Sequence, residues 1–247
     1  MFRVSLLLFS GLLFSEVAMC QMDSVMDRLQ QIKASDADST RIRLADEIPF
    51  FLEKTEYGKY PQGPSVQFLG YRKCSREEEV ELFSWVVPLR EGQMFYNWFR
   101  FREGNRIYSL KDFSDGEGKK KAWLYYDLIG FKKGKDIYFL LLGWNKTHLT
   151  NQKIVQVCSF LPDGTLDFNS PLLRRGNSRS ASLCFEYAAE GSMTLKQDKG
   201  GKRIIFDHLV PADPKYKGCF AFYGPDASYD ALVWKEGEWR YEEEVED

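Results

Sequence analysis

Residues 122–161 read AWLYYDLIGFKKGKDIYFLLLGWNKTHLTNQKIVQVCSFL. Two runs of aromatic and branched residues, 122–131 and 137–144, are separated by Lys132-Lys133-Gly134-Lys135, which is short and turn-forming and predicts a hairpin. A third run, 154–161, ends at Pro162-Asp163-Gly164, a second turn signal before Leu166. Parallel strands need a crossover of helical length between them, and no such segment is evident here or elsewhere after residue 60. The stretch therefore predicts an antiparallel meander.

The same pattern extends both ways. Candidate strands lie upstream at 66–73, 80–87 and 94–102, and downstream at 182–187, 192–197, 203–206, 219–223, 231–235 and 239–242. Asp198-Lys199-Gly200-Gly201 and Glu236-Gly237-Glu238 mark two more tight connections. Two polar stretches, 109–122 and 170–181, are predicted as surface loops. The fold class expected is mainly β: an antiparallel meander forming a sandwich or a strongly curved sheet, with helices only at the N-terminal end, α+β by strict count.

Those helices follow from Val25, Leu29 and Ile32 at one-turn spacing, with Asp23 and Ser24 as caps. A second periodic stretch places Ile42, Ala45, Ile48, Phe51 and Leu52 near one face, with Pro49 as a possible break. Before them, Arg3 precedes an apolar run from Val4 to Phe14, and Ala18-Met19-Cys20 precedes Gln21. That is the plan of a secretory signal peptide cleaved after Cys20, too short to span a bilayer comfortably. A lipid anchor at Cys20 is the alternative, with Met19 against it because such signals place a small residue there. The expected organisation is residues 1–20 as signal peptide, 21–59 as a helical segment packing on the body, and 60–247 as an antiparallel β domain. The protein is expected in the periplasm or outside the cell, with no transmembrane span after cleavage.

Basic and acidic residues nearly balance, 34 against 36. The signal segment carries one of each, so the mature charge stays at -2. No concentrated basic surface is implied, and nucleic acid is not an expected partner. Cys74, Cys158, Cys184 and Cys219 remain after cleavage and allow three complete pairings, between which spacing does not choose. The apolar runs around Cys158, Cys184 and Cys219 equally fit buried thiols.

Candidate chemistry gathers in residues 206–230, FDHLVPADPKYKGCFAFYGPDASYD. His208 follows the run Arg203-Ile204-Ile205-Phe206, so its ring emerges at or beyond a strand end. Asp207 points to the other side if the strand continues; if the chain turns there, Asp207 caps amides and His208 bonds a distant partner. His208 and Asp207 are the catalytic candidates, for general acid or base work. Asp213, Asp226 and Asp230 could supply hard oxygens to calcium, the one metal considered, but their spacing is not that of an EF-hand. Turn formation by Pro211, Pro214, Pro225 and Gly224, with Asp213 and Asp226 as caps, explains the same residues. No other cofactor is called for.

Arg174, Arg175 and Arg179 lie close together in the 170–181 segment and are candidates for an anion, although a solvated loop is the simpler reading. His148 sits in a polar turn, and Asn145-Lys146-Thr147 matches an N-glycosylation acceptor. The G-x-S-x-G nucleophile signature is absent. Six Trp and thirteen Tyr suit stacking on sugar rings or peptides, and equally the filling of large sheet cores.

Several segments carry a resemblance: 138–145, 153–157, 185–189 with 193–195, and most fully Phe206-Asp207-His208-Leu209 through Tyr223-Gly224-Pro225-Asp226 to Ser228-Tyr229-Asp230. Over roughly residues 60–245 the chain resembles a family of uncharacterised exported proteins from Bacteroidetes. The resemblance implies an exported location and transfers no activity. The expected function is a non-enzymatic exported domain that binds a glycan or a peptide, or joins another envelope protein in a cell-envelope assembly. The alternative is a hydrolase using His208 with an acidic partner.

Overall fold

The computed structural model describes residues 25–54, 70–74, 80–102, 107–114, 123–161 and 165–245, with 70–74 and 107–114 as backbone. The signal segment, the caps Asp23 and Ser24, the Pro162-Asp163-Gly164 turn and the part of the predicted loop after Ser114 lie outside the described residues. Among the described residues two helices, α1 over residues 25–34 and α2 over Asp38–Glu53, precede fifteen strands in three sheets.

Sheet I contains β1 (Gly70–Cys74), β2 (Val80–Pro88), β3 (Gln93–Phe101) and β4 (Ile107–Ser114) in chain order, all antiparallel. Sheet II orders β11 (Ser182–Ala188), β7 (Thr150–Phe160), β6 (Asp136–Lys146) and β5 (Leu124–Lys133), with the short β8 (Leu166–Asp167) on β7. Sheet III orders β10 (Ser178–Ser180), β9 (Leu173–Arg175), β15 (Glu238–Glu242), β14 (Tyr223–Lys235), β13 (Arg203–Pro211) and β12 (Leu195–Gln197). Its β15–β9 pair is parallel; every other pairing described is antiparallel.

The layers explain the unbroken apolar run in β6. Val80, Leu82 and Phe99 of sheet I pack on Leu128, Phe139, Leu141 and Ile154 of sheet II. Leu140, Leu142, Val155 and Val157, on the other side of sheet II, pack on Leu173, Ile204, Phe206, Leu232 and Trp239 of sheet III. A strand buried on one face alternates apolar and polar residues; β6 is covered on both, so Leu140, Leu141 and Leu142 are all fully buried. Each contributes about 1.5–3 kcal/mol of apolar burial.

The helices cover the outer face of sheet I. Ile32, Leu44, Ala45, Ile48 and Leu52 meet Phe83, Trp85, Val87 and Tyr96. Helix α2 runs through Pro49 without ending there. Its C-terminal turn is held by a buried pair: Arg100 Nε donates to Glu81 Oε2 at 2.8 Å and Arg100 Nη1 to the Leu52 carbonyl at 3.1 Å. A second buried network joins sheets I and II: Ser84 Oγ donates to Asn97 Oδ1 (2.6 Å), Asn97 Nδ2 to the Trp123 carbonyl (3.1 Å), and the Tyr125 amide to Ser84 Oγ (3.0 Å).

Four local expectations are corrected. Residues 107–114 form strand β4, so the predicted loop from 109 begins as an edge strand; its mixed composition, IYSLKDFS, hid it. The predicted loop 170–181 contains the hairpin β9–β10, turning at Gly176 with φ 58°. The predicted strand 219–223 is a 3-10 turn over Phe220–Phe222, and β14 starts only at Tyr223. Cys184 and Cys219 are exposed, against the reading that buried them with Cys158, which is fully enclosed.

Candidate functional site

The site begins as an irregularity in the β13–β14 ladder. Pairing is regular from Arg203 opposite Val233 to Asp207 opposite Tyr229, and resumes at Leu209 opposite Pro225. One residue, His208, therefore faces three, Asp226, Ala227 and Ser228. The longer side is shaped by Asp226, whose Oδ1 accepts from the Ser228 amide (3.0 Å) and hydroxyl (2.7 Å), and by Ala227, which takes a left-handed φ of 73°.

At this bulge His208 Nδ1 is 2.8 Å from Asp230 Oδ2. The Asp230 side chain is 2% exposed and the His208 side chain 29%. The same Oδ2 accepts the Tyr241 hydroxyl, and Oδ1 accepts the Glu244 amide at 3.2 Å. With the Val245 amide donating to the Tyr229 carbonyl at 2.8 Å, the carboxylate joins β13, β14, β15 and the segment after β15. Asp207 is not the partner of His208: its Oδ2 accepts the Thr194 amide at 2.7 Å.

The hydrogen bond to Asp230 raises the His208 pKa; burial opposes this, and the charges of Asp230, Asp226 and Glu243 reinforce it. Burial, then the bond to Asp230, pushes the Tyr241 hydroxyl up. Among the described residues His208 Nε2 meets no hydrogen-bond partner, and no serine, threonine or cysteine bonds to the ring. The couple can orient an imidazole for binding or proton transfer.

The three aspartates proposed for calcium are used separately. Asp213 Oδ1 accepts the Lys215 amide at 3.0 Å, Asp226 builds the bulge, and Asp230 serves His208 and Tyr241. Among the described residues no three His, Cys, Asp or Glu side chains come together in a way that could hold a metal.

The arginines are turned inward on a carboxylate. Glu238 Oε1 accepts from Arg174 Nη1 (2.9 Å) and Arg240 Nε (3.0 Å), and Oε2 accepts from Arg179 Nε (3.0 Å). These bonds, that from Arg174 foremost, hold the Glu238 carboxyl at about 2. Arg175 instead lies over the Tyr241 ring at 4.4 Å, 3.8 Å from Glu243. Sequence proximity had singled out Arg174, Arg175 and Arg179; Glu238 and Arg240 come from β15, brought alongside by the parallel pairing with β9.

His148 is exposed in its turn, while Asn145 is 1% exposed and its Oδ1 accepts from Gln93 Nε2 at 2.9 Å, so the acceptor side chain faces inward. Trp85 and Trp239 are buried. Among the described residues most aromatic content thus fills cores; Phe50 on α2, 55% exposed, and the connector between β13 and β14 stand out from it. Phe220 and Phe222 are 43% and 45% exposed on its 3-10 turn. Phe222 stacks on Tyr216 with ring centres 4.2 Å apart and planes 13° apart, Phe220 leans on Tyr223 at 5.1 Å, and the Gly218 amide donates to Tyr223 Oη at 2.9 Å. Its Phe-Ala-Phe spacing reads as strand alternation, which concealed the exposed pair.

The chain matches no family model and no curated protein. No described helix is long and apolar enough to cross a membrane.

Proposed function

We propose that this is an exported, non-enzymatic binding domain of the cell envelope whose ligand face is the aromatic connector. The observation that carries the reading is the pair Phe220 and Phe222, held nearly half exposed on a rigid turn. Exposed rings kept in fixed positions lose little entropy on stacking against a flat or apolar ligand. A glycan or a peptide is the ligand class, and export rests on the N-terminal signal pattern.

The test is retention on oligosaccharide and peptide arrays by the wild type, by Phe220→Ser/Phe222→Ser and by His208→Asn. Binding lost in the double variant and kept in His208→Asn supports the connector. Equal retention by all three, or loss only in His208→Asn, removes it.

The second reading is a hydrolase, favoured by the His208–Asp230 couple with its outward Nε2. Its test is turnover of ester and glycoside substrates abolished in His208→Asn; turnover that survives this change, or none at all, excludes it.

A further inference from the structure

Sheet III carries a line of arginines across its width. Arg179 on β10 stands opposite Arg174 on β9, Arg174 opposite Arg240 on β15, Arg240 opposite Val233 on β14, and Val233 opposite Arg203 on β13. Residues paired across strands share a face, so these side chains form one row. Their chain neighbours Leu173, Trp239, Leu232 and Ile204 point the other way and pack on sheet II, so the row looks away from it. From Arg179 on β10 to Arg203 on β13 the row crosses four strand spacings, roughly 19 Å. The arginine side chains stay 32–61% exposed.

The donors of the row are only partly used. Arg174 Nη1, Arg179 Nε and Arg240 Nε share the Glu238 carboxylate, and Arg240 Nη2 donates to Glu236. Arg174 Nη2, Arg179 Nη1 and Arg240 Nη1 take no part in these bonds. At the other end a cleft of about 560 Å3, lined in part by Lys196, Asp198, Lys199 and Arg203, opens beside the β12–β13 turn. Arg203 Nε donates to Asp198 Oδ2 at 3.0 Å. Lys196 pairs with Ile205, two residues along β13 from Arg203, and so shares the face of the row. Among the described residues the Lys196 and Lys199 ammonium groups have no hydrogen bond and no ion pair, which leaves the cleft with uncompensated positive charge.

We infer that the outer face of sheet III binds a linear acidic polysaccharide, a chain of uronic acid residues laid along the arginine row with its end in the cleft. The planar guanidinium fork matches a carboxylate, and Glu238 shows these forks gathering one. Successive strands offer a cation at a spacing comparable with the length of one sugar unit. A stiff sugar chain holds its carboxylates at a fixed repeat and loses less freedom on binding than a flexible acidic peptide. Single-stranded nucleic acid binds on aromatic platforms; neither this row nor the rows beside it, Lys196-Ile205-Ala231-Glu242 and Lys235-Glu238, contains a ring. A lipid surface takes apolar anchors, and among the described residues the exposed large apolar side chains lie outside these strands. The inference rests on the binding-domain reading and narrows its ligand to an acidic glycan, on a face separate from the connector.

The experiment titrates the full chain calorimetrically with octagalacturonate, digalacturonate and neutral maltooctaose, with octaglutamate and an oligothymidylate of matching charge as controls. Octagalacturonate should bind saturably, about tenfold tighter than digalacturonate, which covers only part of the row, and more weakly as salt rises. Maltooctaose should not bind. Arg179→Gln and Lys196→Gln, at exposed positions towards the two ends, should each weaken octagalacturonate by about fivefold, and together by about the product. Circular dichroism checks that each variant is folded. Phe220→Ser/Phe222→Ser should bind octagalacturonate like the wild type, which separates this face from the connector. No binding of octagalacturonate, equal affinity for digalacturonate, affinity undiminished in both charge variants, loss in the connector variant, or a control bound as tightly would each overturn the inference.

Discussion

His208 Nδ1 lies 2.8 Å from Asp230 Oδ2, a half-open imidazole resting on an almost wholly buried carboxylate. The contact spans the interruption in the β13–β14 ladder, where His208 has no regular partner on β14. Because Asp230 also accepts from Tyr241 and the Glu244 amide, the same atoms hold the end of β15. A buried carboxylate without these donors would be costly to ionise.

The pH dependence follows from the raised His208 pKa, which the Asp230 hydrogen bond causes first. A histidine that binds its proton more tightly when folded stabilises the protein fully below its unfolded value, about 6.5. That contribution is lost as pH rises through the folded value. The gap in urea midpoint between wild type and His208→Asn should therefore be widest at about pH 5.5 and narrow towards about pH 8.5. A gap independent of pH would show that the couple does not titrate.

Removing the carboxylate should cost more than removing any one donor. Asp230→Ala leaves three donors without their acceptor and is expected to lose about 3 kcal/mol, whereas Tyr241→Phe loses about 1 kcal/mol. Urea unfolding measures both. Equal losses would mean that Asp230 is held by Tyr241 alone.

The sequence displays the sheets better than the site because hairpins are local and the site is not. Lys132 to Lys135 and Glu236 to Glu238 announce their turns within a few residues, and both turns occur. The partner of His208 is twenty-two residues away and depends on a bulge built by Asp226 and Ala227, which leaves no periodic trace. Likewise Glu238 meets Arg174 only through the parallel β15–β9 pairing, the connection that a meander does not contain. The double burial of β6 is legible in its apolar run; which sheets cover it is not.

Gly143 tests the side-chain packing on the face of sheet II that meets sheet I. A Cβ there would lie 2.8 Å from Ile154 Cγ2, 3.0 Å from Tyr125 Cδ1 and 3.2 Å from Trp123 Cβ. None of these is the loose end of a flexible chain, so Gly143→Ala should destabilise by about 1–3 kcal/mol through overpacking. The loss should shrink in an Ile154→Ala background, as a double-mutant cycle by urea unfolding would show. A full loss in both backgrounds would place its cause in the backbone.

The arginine cluster makes a prediction of opposite sign to that of His208. Glu238 is held at about 2 by Arg174, Arg179 and Arg240, below its ordinary 4.5. A carboxylate depressed by folding stabilises fully above its unfolded value, and that contribution is lost as pH falls through the folded one. Wild type should therefore lose its advantage over Glu238→Gln as pH drops from about 4.5 towards about 2, a window well below that of His208. Thermal unfolding across that range measures it. At neutral pH Glu238→Gln should already be the less stable protein, because three guanidinium groups then crowd a neutral amide. An unchanged stability there would mean that the arginines separate freely into solvent and that Glu238 does not gather them.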